Sequence, residues 1–132
     1  MLYGNGIDLT YIPEFSEVLG DKKSHFVSKY FTTGEIEYIH SHGPERSAGH
    51  LAARYAAKEA FIKALDGPRL HQEAALKIDY QDIEVKNDSH GRPFLACHGA
   101  LREYVNTIGI TRTHLSISHI GEYAIAQVIL ET

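Results

Sequence analysis

Between Arg46 and Leu65 the chain reads as one uninterrupted helix, and a helix that long in so short a chain must be the element on which the rest packs. Asp66-Gly67-Pro68 ends it, since glycine suits a helix cap and proline cannot continue the hydrogen-bond ladder. On a helical wheel Leu51, Ala52, Tyr55 and Ile62 form an apolar stripe, and Glu59 falls inside it. Lys63 lies one turn further on, about 5.4 Å along the axis, on the same face. A carboxylate on a buried face is costly unless a cation holds it, so Glu59 requires a lysine or a metal ion.

The 132 residues suffice for one domain with a real core and are too few for two, so residues 1–132 are expected to form a single domain. A formal charge of −4 argues against a general nucleic-acid binder. The single cysteine, Cys97, cannot form an intrachain disulfide and is expected to be a small core residue in a reducing compartment. No apolar run is long enough to cross a bilayer, and Met1-Leu-Tyr-Gly-Asn-Gly6 lacks the features of a secretion signal. A cytoplasmic protein is expected, with no membrane or nucleic-acid partner.

Leu2 to Ile7 reads as a strand ending at Asp8, with Gly4 and Gly6 on the same face as Asp8. Glycines there imply close approach of another backbone or a ligand. Residues 13–20 read as a helix with proline at its start and glycine at its end, and Thr33-Gly-Glu opens another through His40. Residues 66–76 read as a loop. Tyr80–Val85 and Pro93–Cys97 read as strands joined through Asn87–Gly91, and Ala100–Thr107 as a helix. Leu115-Ser-Ile-Ser alternates apolar with polar, Ile120-Gly-Glu turns, and Tyr123–Leu130 is a second strand. The expected class is α+β, an antiparallel sheet packed on the long central helix.

Asp8 at a strand end and Glu59 on the helix can bracket one hard cation. Magnesium suits a site with only two protein carboxylates, because it keeps waters and takes phosphate oxygens as further ligands. Spacing alone equally allows a turn-capping Asp8 and a structural Glu59–Lys63 pair, which is the commoner arrangement. Arg54 and Lys58 read either as phosphate contacts or, more simply, as a solvated helix surface. His114-Leu-Ser-Ile-Ser-His119 places His114, Ser116 and Ser118 on one strand face, with His119 opening the turn, where hydroxyls and imidazoles could hold a phosphate. No acid is placed to orient a Ser–His pair. The histidine spacing matches no compact zinc pattern, and the remaining histidines, His50 among them, read as ordinary surface groups.

Gly6-Ile-Asp-Leu9, Arg54-Tyr-Ala-Ala-Lys-Glu-Ala-Phe-Ile-Lys-Ala64 and His114–His119, in that order across nearly the whole chain, resemble the holo-[acyl-carrier-protein] synthase family of 4'-phosphopantetheinyl transferases. The resemblance implies that fold and a magnesium-dependent enzyme. Its reaction would move phosphopantetheine from coenzyme A to a serine of an acyl carrier protein, leave adenosine 3',5'-bisphosphate, and support fatty acid or related lipid synthesis. Carried over, Asp8 and Glu59 look like magnesium ligands and Lys63 like the lysine that steadies phosphate oxygens. Glu59 is also a candidate to take the serine proton, directly or through water. Arg54, Lys58, His114, Ser118 and His119 look like nucleotide and phosphate contacts.

The resemblance further implies a homotrimer whose sites lie between subunits, with the Asp8/Glu59 side and the His114–His119 side drawn from different chains. One departure stands out. The first helix, often basic in the family, here carries Glu14 and Glu17, and positive charge appears only beyond it at Lys22, Lys23 and Lys29. The identity of the carrier is therefore open between a free-standing acyl carrier protein and a carrier domain inside a larger synthase. A phosphoanhydride hydrolase and a non-catalytic carrier-binding module are the rival expectations.

Overall fold

The computed structural model describes residues 1–132. The chain forms five strands and five helices: β1 (Leu2–Tyr11), α1 (Ile12–Gly20), α2 (Phe26–Tyr30), α3 (Thr33–Ser41) and α4 (Pro44–Asp66) come first. A 3₁₀ turn at Tyr80–Asp82 follows, then β2 (Ile83–Asn87), β3 (Pro93–Cys97), α5 (Gly99–Thr107), β4 (Arg112–Ile120) and β5 (Tyr123–Glu131). The strands form two antiparallel sheets, a three-stranded one ordered β1-β5-β4 and the hairpin β2-β3. The α+β class expected from the sequence holds.

Several boundaries differ from the sequence reading. β1 continues past Asp8 to Tyr11 because it stays paired with β5 down to Tyr11↔Tyr123. Tyr80–Asp82 is not strand: the Asp79 carboxylate accepts from the Gln81 N–H and closes a tight turn instead. β4 begins at Arg112 and carries His119 inside the ladder, opposite Ala124, rather than in the turn. α4 stops at Asp66, and Gly67 keeps a right-handed φ of −54°, so Pro68 is what prevents another turn.

α4 is buried on most of its sides. Leu51, Ala52, Ala56, Ala57, Ala60, Phe61 and Ala64 are sealed from solvent, so the interior face is wider than the stripe drawn from periodicity. Its small side chains let β1 and β5 lie directly against it. Gly4 and Gly6 face the carbonyls of Ala64 and Ala60, and a Cβ on either glycine would collide with them. The close approach predicted at these glycines is thus an approach by the backbone of α4. Thr10, on the same face, sends its hydroxyl to the Ala52 and Ala124 carbonyls.

On the other side of α4 a buried ion pair ties five elements together: α2, α3, α4, the 3₁₀ turn and β2. Lys58 Nζ lies 2.7 Å from Glu35 Oε1, and both side chains are fully enclosed. Lys58 also donates to the carbonyls of Tyr30 and Tyr80, at 2.8 and 2.9 Å. Glu35 completes a capping box on α3 with Thr32, and its Oε2 accepts the Val85 N–H of β2. All three ammonium protons and both carboxylate oxygens have partners, which is the condition under which such a pair is tolerated.

Candidate active site

Asp8 stands on the α4-facing side of β1, two residues beyond Gly6, and Glu59 and Lys63 stand on α4 across from it. The bare glycines bring strand and helix so close that Asp8 and Glu59 feel each other's charge. Burial raises the Asp8 carboxyl above the ordinary aspartate value; Lys63 pulls it down by hydrogen bond and charge, and Glu59 pushes it up again. Lys63 Nζ donates to Asp8 Oδ1 and to the Ile7 carbonyl, both at 3.0 Å. Its side chain is 54% exposed, so it can swing away from Asp8 toward an anion. The structural pair open to Glu59 on spacing alone is therefore not made: Lys63 goes to Asp8.

Glu59 instead accepts a hydrogen bond from the Tyr80 hydroxyl, 2.6 Å from its Oε1. Tyr80 stacks on Tyr55 (5.9 Å, 11°) and meets Tyr30 edge-on (4.8 Å, 89°), so aromatic rings wall the carboxylate. Burial and then the Glu59 bond push the Tyr80 hydroxyl far above its usual range, and burial with the same carboxylate lifts Tyr55 to about 12. Both phenols stay protonated at neutral pH, and Tyr80 donates to Glu59. Tyr80 also separates two openings. An apolar pocket of about 190 Å³ is lined by Ile62, Leu65, Leu76, Ile78 and Tyr104. A polar cleft of about 570 Å³ carries Lys29, Lys77 and Gln81.

Two carboxylates and a lysine converge here, and nowhere in the chain do three His, Cys, Asp or Glu side chains gather as a metal cluster. An all-oxygen pair fits a hard divalent cation that keeps most of its ligands as water or substrate phosphate. It does not fit a structural zinc.

The other sequence candidates lie elsewhere. Lys58 and Arg54 are not on a solvated surface. Lys58 is sealed beneath the site with no proton free for a ligand, so the fold leaves it no role as a phosphate contact. Arg54 is 4% exposed, lies 4.0 Å over the Tyr38 ring and donates to Asn87 Oδ1 at 2.7 Å. Its Nε has no partner, nor does Nε2 of nearby His50, whose pKa falls to about 4 through burial and the charges of Arg54, His42 and His119. His119 thus joins this donor-rich neighbourhood. His114 and Ser118 point from the opposite, outer face of the sheet, where His114 Nε2 lies 2.6 Å from Glu131 Oε2. The shared edge expected of His114–His119 is split across two faces.

Tyr80 and Glu35 were not visible as site residues in the sequence, since each meets its partner more than twenty positions away. His50, read as an ordinary surface histidine, is half-buried.

A family model described as the 4'-phosphopantetheinyl transferase superfamily matches residues 4–128. The holo-[acyl-carrier-protein] synthase of Geobacter sulfurreducens is 38% identical over 131 residues, spanning 99% of this chain and 98% of that protein. That of Mycobacterium tuberculosis is 43% identical over 131 residues, spanning 98% and 97%. Among solved structures, the Chronobacterium ammoniagenes ACPS–CoA complex superposes with a TM-score of 0.86 at 35% identity, covering 97% of this chain and 96% of that one.

Proposed function

The chain belongs to the 4'-phosphopantetheinyl transferase superfamily, and from that premise we propose that it is a magnesium-dependent holo-[acyl-carrier-protein] synthase. It moves 4'-phosphopantetheine from coenzyme A to a serine of an acyl carrier protein, a step that serves fatty acid or related lipid synthesis. The observation that carries the reading is the meeting of Asp8, Glu59 and Lys63 across the glycine-thinned contact of β1 with α4.

Asp8 and Glu59 would hold the metal, and magnesium when bound supplies charge compensation to the pyrophosphate as its anhydride bond breaks. Lys63, half-exposed, releases Asp8 and takes phosphate oxygens as a point charge. Glu59 is the candidate to take the proton of the carrier serine, directly or through water, as the serine oxygen attacks the phosphorus bearing the pantetheine arm. Adenosine 3',5'-bisphosphate leaves. His119, exposed on β4, is the group of this neighbourhood that a nucleotide phosphate could reach, since the Nε of Arg54 and the Nε2 of His50 are both buried. The polar cleft and the apolar pocket on either side of Tyr80 suit a long ligand that is anionic at one end and apolar along its arm.

The same reading includes a homotrimer. Ile7, Leu9, Tyr123 and Ile125 lie exposed along the outer face of the three-stranded sheet, a contiguous apolar surface that association would cover. His114 and Ser118 share that face, so they would reach a neighbour's site rather than their own. A mass of three chains by light scattering is the expected result. A cytoplasmic location accords with the free Cys97 and with the lack of any helix long and apolar enough to cross a membrane.

Intact-mass analysis of an acyl carrier protein incubated with the chain, coenzyme A and magnesium tests the activity directly. Added phosphopantetheine, with bisphosphate released only when carrier is present, supports transfer. Nucleotide breakdown without carrier would favour the hydrolase, and no product with any carrier the non-catalytic module. Glu59→Gln is expected to fold normally and lose most transfer; near-normal turnover would overturn the metal assignment.

A further inference from the structure

The geometry points to Tyr80 as a positioning residue that fixes the Glu59 carboxylate for cation binding, itself anchored from below by the buried Glu35–Lys58 pair. The inference rests on the reading of Glu59 as a metal ligand.

Glu59 extends from α4 on a side chain with three rotatable bonds and at a half-buried position, so nothing in its own backbone fixes where its oxygens point. The 2.6 Å bond from the Tyr80 hydroxyl does so, taking Oε1 and leaving the other oxygen for a cation. A donor can fix a ligand only if it is fixed itself. Tyr80 is held at its ring, by stacking on Tyr55 and by the edge contact with Tyr30. It is held at its backbone too, because Lys58 Nζ donates to its carbonyl at 2.9 Å, and Lys58 is pinned by Glu35 at 2.7 Å. The 3₁₀ turn is clamped further by Gln81, whose Nε2 donates to the Ser28 and Phe31 carbonyls.

The chain Glu35–Lys58–Tyr80–Glu59 thus runs from a sealed ion pair to the site. It also accounts for Lys58, a residue the site does not otherwise use: its charge is spent holding the turn that carries Tyr80. Hydrogen-bond partners behind metal ligands typically contribute 10–100-fold in metal affinity or activity.

The test is Tyr80→Phe in the full chain, which keeps the ring in its aromatic stack and removes only the donor. Three quantities are read: the melting temperature, the affinity for Mn²⁺ followed by the EPR signal of the free ion without carrier, and the cation dependence of transfer. The expected result is a nearly unchanged melting temperature, Mn²⁺ affinity lower by about tenfold, a matching rise in the cation concentration for half-maximal rate, and an unchanged KM for the carrier. Unaltered Mn²⁺ affinity and cation dependence overturn the proposal, whether or not the variant is less stable, because the hydroxyl would then be structural only. Failure of the underlying reading looks different: wild type itself would show no cation-dependent transfer, or Glu59→Gln would bind Mn²⁺ as wild type does.

Discussion

Replacing Gly6 by alanine adds a single methyl group at one of the two tightest points between β1 and α4. Built on the present backbone, its Cβ would lie 1.9 Å from the Ala60 carbonyl oxygen and 2.7 Å from the Ala64 nitrogen. Ordinary carbon–oxygen contact needs roughly 3.2–3.4 Å, so strand and helix must part by about 1.3–1.5 Å. Both obstacles are backbone, and no side chain can rotate out of the way. Overpacking costs typically 1–3 kcal/mol and more where the backbone must move, so about 3 kcal/mol or above is expected, equivalent to roughly 10–15 °C in melting temperature for a domain of this size. The functional loss follows from the same displacement. Asp8 is two residues from Gly6 on the same face and Glu59 adjoins Ala60, so their separation changes by the amount the helix retreats. A misplacement of about 1 Å in a reacting constellation costs on the order of 100-fold in rate. Gly20→Ala is the control: nothing lies within 4 Å of its Cβ position at the end of α1, and it should be neutral or stabilising by up to about 1 kcal/mol. Thermal unfolding and carrier modification are measured on both variants. A Gly6→Ala protein that melts within about 3 °C of wild type and keeps half its turnover would refute the reasoning, because it would mean that β1 and α4 can separate freely without disturbing the carboxylates.

Two further outcomes are expected. Lys58→Met should cost about 3–5 kcal/mol in urea unfolding, since it strands the Glu35 carboxylate and two carbonyls in the interior. Combining it with Glu35→Gln should recover more than 1.5 kcal/mol, and strictly additive losses would show that the pair is not coupled. His50 is held neutral in the fold, with its pKa lowered from 6.5 to about 4, while the unfolded chain still protonates. The unfolded state therefore binds more protons, and stability is lost as pH falls from 6.5 toward 4. The unscreened linkage would be about 3 kcal/mol, and for a partly exposed ring about 1 kcal/mol is expected. His50→Gln should flatten the fall in melting temperature between pH 7 and 4.5; parallel curves for the two proteins would contradict this.

The sequence made the elements legible where a local rule decided them. Pro68 stopped α4, alternation gave β4 and β5, and Gly4 and Gly6 announced a close backbone. It misplaced what depends on distant partners. Lys58 looked solvent-facing because a helical wheel knows nothing of Glu35 arriving from α3 to enclose it. Tyr80 looked like strand because Asp79 capping Gln81 is a competing local bond that β propensity ignores. Asp8 and Glu59 stand as one alternative on spacing and are favoured as a pair only by the resemblance, since 51 positions separate them and nothing local brings them together. The division of His114 from His119 needed only correct strand parity, which was lost once His119 was assigned to the turn.

The strand order β1-β5-β4 has a consequence for how the chain is made. The middle strand is the last of the five to be synthesised, and its two neighbours cannot pair without it. Until β5 arrives, β1 and β4 are both unpaired edges, and the alanine-rich face of α4 that β5 covers stays open to water. Closure joins residues about 120 positions apart in one step, a non-local contact that pays its loop entropy late. The hairpin β2-β3 is local, whereas the carboxylate-bearing strand takes its register from β5, which lies between it and β4. The geometry of the site is consequently set by the most non-local pairing in the molecule.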